Sequence, residues 1–589
     1  MADNNIATGR RYPKRIPYGM MNFVNVRERD CYYVDKTRFI EEVEKSNMFF
    51  FYIRPRRFGK SLTLSMLQHY YDVNDADKFD MLYKGLYIGD HPTPEHNTYL
   101  VIKLNFAVVN AELNNYRKAL DAHCNTAFGV FCDRYKDYLP EGIWERMKAE
   151  CSGAVEQLDF LYNRCAEAGQ KIYLFIDEYD HFTNKILAEP HCLEEYRSET
   201  HGTGYLRNFF DTIKAGTDSS IERVFVTGVS PVTMDDLTSG FNIGTNYSLN
   251  PRFNEMTGFT EQEVRDMLTY YTDFCDIHNY TVDELIEIMK PWYDNYCFAK
   301  QALTKSIRMF NCDMVLYYLR NYMDYGHAPE QMIDPNTKTD YGKMKKLLQF
   351  DKLDGERKGI IRKIAEEGQI VAPLYESFSA YQIPKAEIFP SLLFYYGMLT
   401  IKGNRGSKLV LGIPNNNVRK QYYGYLEEEF QNIAYVDTNR LTDYYYDMAY
   451  DGKWEEGLRF MAEAYAKVSS VRDGMEGERN LQGFFMAYLN LNDYYITAPE
   501  LELNHGYCDF FLLPDLTHYP TQHSYILELK VLPKKDFPDK AEAQWNEAVE
   551  QIRRYAVAPR VEALRQGTRL HKIIMQFEGW QLKRMEEVE

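Results

Sequence analysis

The chain has 589 residues, more than one hydrophobic core can hold, so roughly two to four domains are expected. Hydrophobic residues at 45% and charged residues at 26% are ordinary for a globular protein, and no apolar run is long enough to cross a bilayer. The net charge of −17 excludes a protein that coats nucleic acid by bulk electrostatics, although a nucleic-acid enzyme needs only a locally basic groove.

Four apolar runs in the first 230 residues read as buried strands: Met48 to Ile53, Tyr99 to Phe106, Ile172 to Ile176 and Val224 to Val229. Each is rich in Phe, Ile, Val or Leu with little alternation, as strands covered on both faces require. Helical spacing separates them, with Leu62, Met66 and Leu67 after the first and Leu206, Phe209, Phe210 and Ile213 before the last. Strands alternating with helices predict an α/β fold with a parallel sheet over residues 15–258. From Thr260 to about Asn321 the chain reads as helices, opening on a capping box, Thr260-Glu-Gln-Glu263. This predicts a helical lid over 259–344. Residues 345–438 read as helices followed by a hairpin around Asn404-Arg-Gly-Ser, a winged-helix-like spacer. The segment Ile388 to Tyr396 is almost wholly apolar, so packing suits it better than reading DNA. Residues 439–589 read as helix, then strands at Tyr494 to Thr497, Tyr507 to Leu513 and Ser524 to Val531, then a helix from Lys540 to Tyr555.

The first strand leads into Arg54-Pro-Arg-Arg-Phe-Gly59-Lys60-Ser61, which opens a helix. Backbone N–H groups at such a helix start face phosphates. Lys60 would reach the β- and γ-phosphates and the Ser61 hydroxyl would ligate Mg²⁺, with Arg56, Arg57, Phe58, Gly59 and Leu62 completing the nucleotide contacts. The pattern departs from the standard phosphate loop: Arg54 replaces its first glycine and Pro55 removes one N–H donor. Arg56 and Arg57 either supply charge to the phosphates or face solvent; a basic turn that merely caps a helix reads the same way.

The strand ending Phe175-Ile-Asp177-Glu178 carries two carboxylates at its C-terminal edge. Asp177 would hold Mg²⁺ through water, and Glu178 would orient or deprotonate the attacking water. A solvated strand end is the bland alternative, but the order after Gly-Lys-Ser favours function. Thr227-Gly-Val-Ser230 offers hydroxyls that would sense a γ-phosphate or simply satisfy a turn, and Gly202-Thr-Gly204 lacks the third glycine of a dinucleotide fingerprint.

In the C-terminal region Glu528 and Lys530 share one face of the strand Tyr525 to Val531, with Asp509 on a neighbouring strand. Two carboxylates on adjacent strands suit a hard divalent cation, and a lysine beside them would stabilise phosphate charge. Glu478 on an upstream helix would add a third metal ligand, and Gln551 on a downstream helix would meet the site. Glu-x-Lys by itself is also how an exposed strand pairs its charges.

Together Tyr33-Val-Asp35-Lys36-Thr37, Arg54-Pro-Arg-Arg-Phe-Gly-Lys-Ser-Leu62, Phe175-Ile-Asp-Glu-Tyr-Asp180, Thr227-Gly-Val-Ser-Pro231 and Asp236-Leu-Thr-Ser-Gly-Phe-Asn242 resemble the AAA-ATPase-like family over residues 15 to about 300. Its members often end in a PD-(D/E)XK nuclease-like domain. The resemblance implies an ATP-binding P-loop NTPase fold in which the atypical phosphate loop is a family trait; Arg252, in Pro251-Arg-Phe-Asn, is a candidate γ-phosphate arginine. The order helix Glu478, strand Asp509, strand Glu528-x-Lys530 and helix Gln551 resembles the PD-(D/E)XK superfamily, with Cys508 where a proline is usual. This implies a restriction-endonuclease-like α/β domain with metal ligands at Glu478, Asp509 and Glu528 and catalytic roles for Glu528 and Lys530.

Ten cysteines without a C-x-x-C pair indicate neither a zinc site nor a disulfide framework. The N-terminal Met-Ala-Asp-Asn-Asn lacks the pattern of a secretory signal, so a reducing cytoplasm is the expected location. The expectation is therefore a cytoplasmic ATPase that uses ATP and Mg²⁺ and is coupled to a Mg²⁺-dependent DNA nuclease. The competing expectation is an ATP-driven switch or scaffold whose C-terminal domain only binds a partner or nucleic acid. No membrane partner is expected, and an oligomer is compatible with these features.

Overall fold

The computed structural model describes residues 12–109, 115–181, 204–232, 243–337, 356–471, 477–503 and 506–589. The chain forms two compact units, Met1–Arg357 with Val371–Asn415, and Lys358–Ile370 with Asn416–Glu589. Among the described residues no helix is long and apolar enough to cross a membrane.

In the first unit, β1 (Phe49–Ile53), β2 (Leu100–Asn105), β3 (Ile172–Asp177), β4 (Ile221–Gly228) and β5 (Thr245–Asn246) make one sheet, ordered β2-β3-β4-β1-β5. Every pairing is parallel, as the mainly apolar runs predict. The C-terminal ends of β1, β3 and β4 therefore share one edge, where α/β sheets bind ligands. Aromatic stacking fills the space beneath: Phe50 lies 4.4 Å from Tyr247 and 5.1 Å from Phe225, and Tyr52, Tyr70, Tyr71, Tyr83 and Tyr173 are all buried. Much of the chain's tyrosine content is thus core filling, each ring bringing large apolar area at modest rotamer cost.

Helix α1 (Lys60–Tyr71) follows β1 directly, and α2 (Tyr205–Gly216) precedes β4. Beyond the sheet lie α3 (Glu261–Cys275), α4 (Val282–Tyr293) and α5 (Cys312–Tyr325). The capping box opening α3 forms as expected, with Thr260 Oγ1 accepting from the Glu263 amide and Glu263 from the Thr260 amide. In the stretch expected as one spacer, the chain passes between the units inside β6 (Gln369–Ala372). The first unit keeps α6 (Phe389–Tyr395), with all seven residues buried, and the antiparallel hairpin β7 (Thr400–Arg405) and β8 (Lys408–Gly412). The second unit takes the helix Asn416–Gln431. The almost wholly apolar α6 is core, as its composition predicts.

The second unit carries α7 (Glu478–Leu489), then β9 (Tyr495–Leu503), β10 (Gly506–Pro514) and β11 (His523–Leu532), then α8 (Phe537–Ala556), β12 (Arg569–Glu578) and β13 (Gln581–Glu587). The mixed sheet runs β13-β12-β11-β10-β9, with β11 and β12 the parallel pair. Trp545, Ala548, Ile552 and Tyr555 of α8 pack on Phe511, Ile526 and Ile574 of the sheet.

Candidate functional sites

At the sheet edge of the first unit the chain turns sharply from β1 into α1. Gly59, the N-cap, adopts φ +85°, a conformation that disfavours any side chain. With a glycine cap and no acidic residue in its first turn, α1 keeps its N-terminal amides available for an anion. Lys60 is buried and its Nζ donates to the carbonyls of Arg54 and Pro55, both at 3.0 Å, so it folds back over the turn. Ser61 Oγ donates to Asp177 Oδ2 at 3.0 Å, joining the helix start to the end of β3.

Arg54 does not face the turn's interior. Its guanidinium donates to the carbonyls of Ile53 (2.9 Å), Ser248 (2.6 Å) and Phe253 (2.9 Å), between the rings of Tyr52 and Phe298 at 4.4 and 4.3 Å. It is a structural wedge where the standard loop has glycine. Phe58 is also buried, edge-on to Tyr296 and Phe298.

A cavity of 470 Å³ opens beside this turn. Its lining combines Arg56, Arg57, Lys60, Ser61 and Glu178 of the turn and the end of β3 with the apolar Met20, Val34, Met256, Phe259 and Leu316. A mainly apolar lining with a few charged groups fits a nucleotide. Arg57 reaches across to Asp313 at 2.5 Å and to the Asn336 carbonyl at 2.7 Å.

Asp177 is buried, and burial followed by the Glu178 charge raises its pKa, while Lys60, the Ser61 hydroxyl and Lys103 pull it back. Burial lowers that of Lys60, against the pull of Glu178, Asp177 and Asp180. Glu178 lies at φ +53°, a strained backbone for a non-glycine residue and a recurrent mark of functional positions. Two expected sensors behave otherwise. The Thr227 hydroxyl donates to the Tyr52 carbonyl at 2.7 Å, a structural bond. Arg252 is directed at Ser46 and Glu42 and does not line the cavity.

In the second unit, ladder pairing of β10 with β11 runs from Leu512↔Tyr525 to Phe510↔Leu527. At the next position the Asp509 carboxylate takes over, accepting from the Leu529 amide at 2.6 Å and from Gln482 Nε2 at 2.6 Å. Glu528 pairs with Lys530 at 2.7 Å, as the two-residue period predicts. The other Glu528 oxygen, Oε2, is buried without a hydrogen-bond partner, and so is Gln551 Oε1 on α8. Burial and the Glu528 charge push Asp509 up to about 8; burial raises Glu528, and Glu528 raises Lys530 against its burial. Glu478 sits exposed at the start of α7, and its charge is felt by Asp509, Glu528 and Lys530. Among the described residues no three His, Cys, Asp or Glu side chains gather as a metal-holding group, so Glu478 does not close a three-ligand set with Asp509 and Glu528.

Residues 17–238 match the family described as predicted AAA-ATPase. Residues 476–587 match the PD-(D/E)XK nuclease superfamily. The chain thus carries a predicted AAA-ATPase domain and a PD-(D/E)XK domain; the turn Arg54 to Ser61 with Asp177 and Glu178 falls inside the first match and Asp509, Glu528 and Lys530 inside the second, whereas Met256, Phe259, Asp313 and Leu316 of the cavity lie beyond residue 238. An uncharacterized protein in the vnfD 5′ region of Azotobacter chroococcum mcd 1 is 25% identical over 316 residues, 53% of this chain and 53% of that protein. The chain spans about half the length of that curated relative. Among solved structures, Cdc6p of Pyrobaculum aerophilum matches at 14% identity and TM-score 0.24, over 65% of this chain and 88% of that one. The ORC2 protein of Aeropyrum pernix, solved as ADPNP–ADP complexes, matches at 12% and 0.31, over 66% and 90%.

Sequence reasoning missed a carboxylate in the AAA-ATPase domain. Asp180 is buried and accepts from the amides of Val229 and Ser230, so it pins the chain leaving β4. Burial and the Glu178 charge push its pKa up to about 6. In the PD-(D/E)XK domain it missed Gln482, the partner of Asp509, and Tyr555, whose hydroxyl lies in the field of Glu528 and Lys530. No pattern marks Gln482, since its function comes only from facing Asp509 across 27 residues of chain. The motif Asp236 to Asn242 lies outside the described residues, as does most of Gly202-Thr-Gly204.

Proposed function

We propose that the AAA-ATPase domain binds and hydrolyses ATP with Mg²⁺. The observation that carries this reading is the Ser61–Asp177 hydrogen bond beside Lys60, at the edge where parallel strands end. Lys60 would exchange its two carbonyl partners for β- and γ-phosphate oxygens, and the α1 amides with Arg56 would hold the remaining charge. Ser61 and Asp177 fit Mg²⁺, which needs few protein ligands when phosphates supply the rest. Glu178 would orient the attacking water.

For the PD-(D/E)XK domain we propose Mg²⁺-dependent cleavage of DNA. Asp509 and Glu528 would hold the cation, and the partnerless Glu528 Oε2 is the acceptor that fits it. A cation bound there supplies a polarised water and charge for the scissile phosphate. Lys530 would place its ammonium against the developing phosphate charge, and Gln482 holds Asp509 in orientation. Glu478, exposed and outside the pair, would serve at most as an outer ligand. ATP binding would gate cleavage as a conformational switch in a cytoplasmic protein.

The exposed position of Glu478 favours a second reading, a PD-(D/E)XK domain that binds nucleic acid without cutting it. ATPase and DNA-degradation assays on wild type, Lys60→Ala and Asp509→Ala decide between them. Loss of both activities in Lys60→Ala supports gating, and loss of cleavage alone in Asp509→Ala identifies the nuclease centre. ATP turnover without cleavage under Mg²⁺ or Mn²⁺ leaves the binding-only reading.

A further inference from the structure

We propose that Asp313 limits the preference of the nucleotide cavity for a triphosphate over a diphosphate, by competing with the terminal phosphate for Arg57. The inference rests on the reading of that cavity as a nucleotide site.

Both residues line the cavity, and Arg57 stands three residues before Lys60 on the phosphate turn. Its guanidinium lies 2.5 Å from Asp313 Oδ2, with side chains 27% and 16% exposed, so the pair is within reach of an anion entering the cavity. The pair therefore withholds one of the turn's cations from the inner phosphates. A third phosphate adds the charge needed to draw Arg57 away.

Two features make that exchange feasible. Arg57 is held at φ +66°, a left-handed backbone disfavoured for a non-glycine residue, and its carbonyl is anchored by Cys312, so the exchange needs only its side chain to swing. Asp313 sits in the first turn of α5, where the helix N-terminus favours a carboxylate, so losing Arg57 does not strand an anion. The start of α5 is also fixed against the turn, with Cys312 Sγ donating to the Arg57 carbonyl at 3.2 Å. Asp313 therefore keeps its place while Arg57 moves, which makes it a positioning residue for Arg57.

The test is equilibrium binding of ATP, ADP and adenosine, with Mg²⁺ and fixed salt, to the full chain carrying Asp313→Asn. The expected result is ATP bound about tenfold more tightly, ADP changed by less than about threefold and adenosine unchanged. Removing any negative charge near phosphates strengthens binding somewhat, so the same substitution is repeated on Arg57→Ala. There the gain for ATP should vanish. Equal gains for ATP and ADP, a gain that survives on Arg57→Ala, or weaker binding of ATP would each overturn the proposal. Asp313→Glu, which keeps the charge, should bind as wild type does; if it gains like Asp313→Asn, the proposal also fails. A wild-type chain that binds neither nucleotide removes the nucleotide reading and this one together, whereas equal shifts remove this one alone.

Discussion

Gly228 and Asp180 are packed so closely that a Cβ on the glycine would stand 2.3 Å from the aspartate's Oδ1. The same carboxylate accepts from the amides of Val229 and Ser230, so the end of β4 and the loop carrying the candidate catalytic Glu178 are one packed unit. Gly228→Ala must push Asp180 off those amides. It should cost about 2 kcal/mol by overpacking, read as a lower urea midpoint. Gly424, exposed in the helix Asn416–Gln431 with open space around it, is the control: Gly424→Ala should stabilise by about 0.5–1 kcal/mol.

Arg54→Gly restores the residue that a standard phosphate loop carries, yet it should damage the protein. The substitution removes the guanidinium from the carbonyls of Ile53, Ser248 and Phe253, the last of which keeps the Tyr52 hydroxyl at 3.2 Å, and opens a void between Tyr52 and Phe298. A loss of about 3 kcal/mol or more is expected, visible as a fall in Tm. A stable Arg54→Gly variant with unchanged nucleotide affinity would contradict the wedge role.

Much of this was legible in the sequence, for a physical reason. A parallel strand buried on both faces must be apolar, so β1 and β3 stand out as runs, whereas edge strand β2 alternates in burial with Lys103 exposed, and the Thr260 capping box announces α3. β5, two residues long, carries no period, and β12 begins Arg-Leu-His-Lys, too polar to signal a central strand. Whether Arg54 binds phosphate or backbone was undecidable along the chain, because its acceptors at Ser248 and Phe253 lie almost 200 residues away. The same holds for Thr227, whose hydroxyl meets Tyr52 rather than a nucleotide.

Asp75 gives a pH signature. Burial alone would raise its pKa, but hydrogen bonds from His69 and Lys78 and the charge of Arg134 hold it below the usual carboxylate range. A depressed folded-state pKa means the stabilisation is present above the unfolded value and lost as pH falls through the folded one. Asp75→Asn should therefore cost about 2 kcal/mol at pH 7, a low figure for a buried carboxylate because its cations are part-exposed. Urea titrations should show the gap between variant and wild type closing as pH drops below about 4.

Gln482 tests the second site without touching a ligand. Gln482→Ala frees Asp509 from one of its two donors, and the concentration of Mn²⁺ or Mg²⁺ needed for half-maximal DNA cleavage should rise about tenfold. Saturating metal should restore the rate. A rate that stays low at saturation would place Gln482 in substrate contact instead.

The central claim is that the turn from Arg54 to Ser61 holds a triphosphate with Asp177 beside it. Its most direct test is calorimetric titration of Mg²⁺–ATP into wild type, Lys60→Ala and Asp177→Asn. Saturable binding by wild type, abolished in Lys60→Ala and made insensitive to Mg²⁺ in Asp177→Asn, is the predicted result. Unchanged affinity in Lys60→Ala would contradict it.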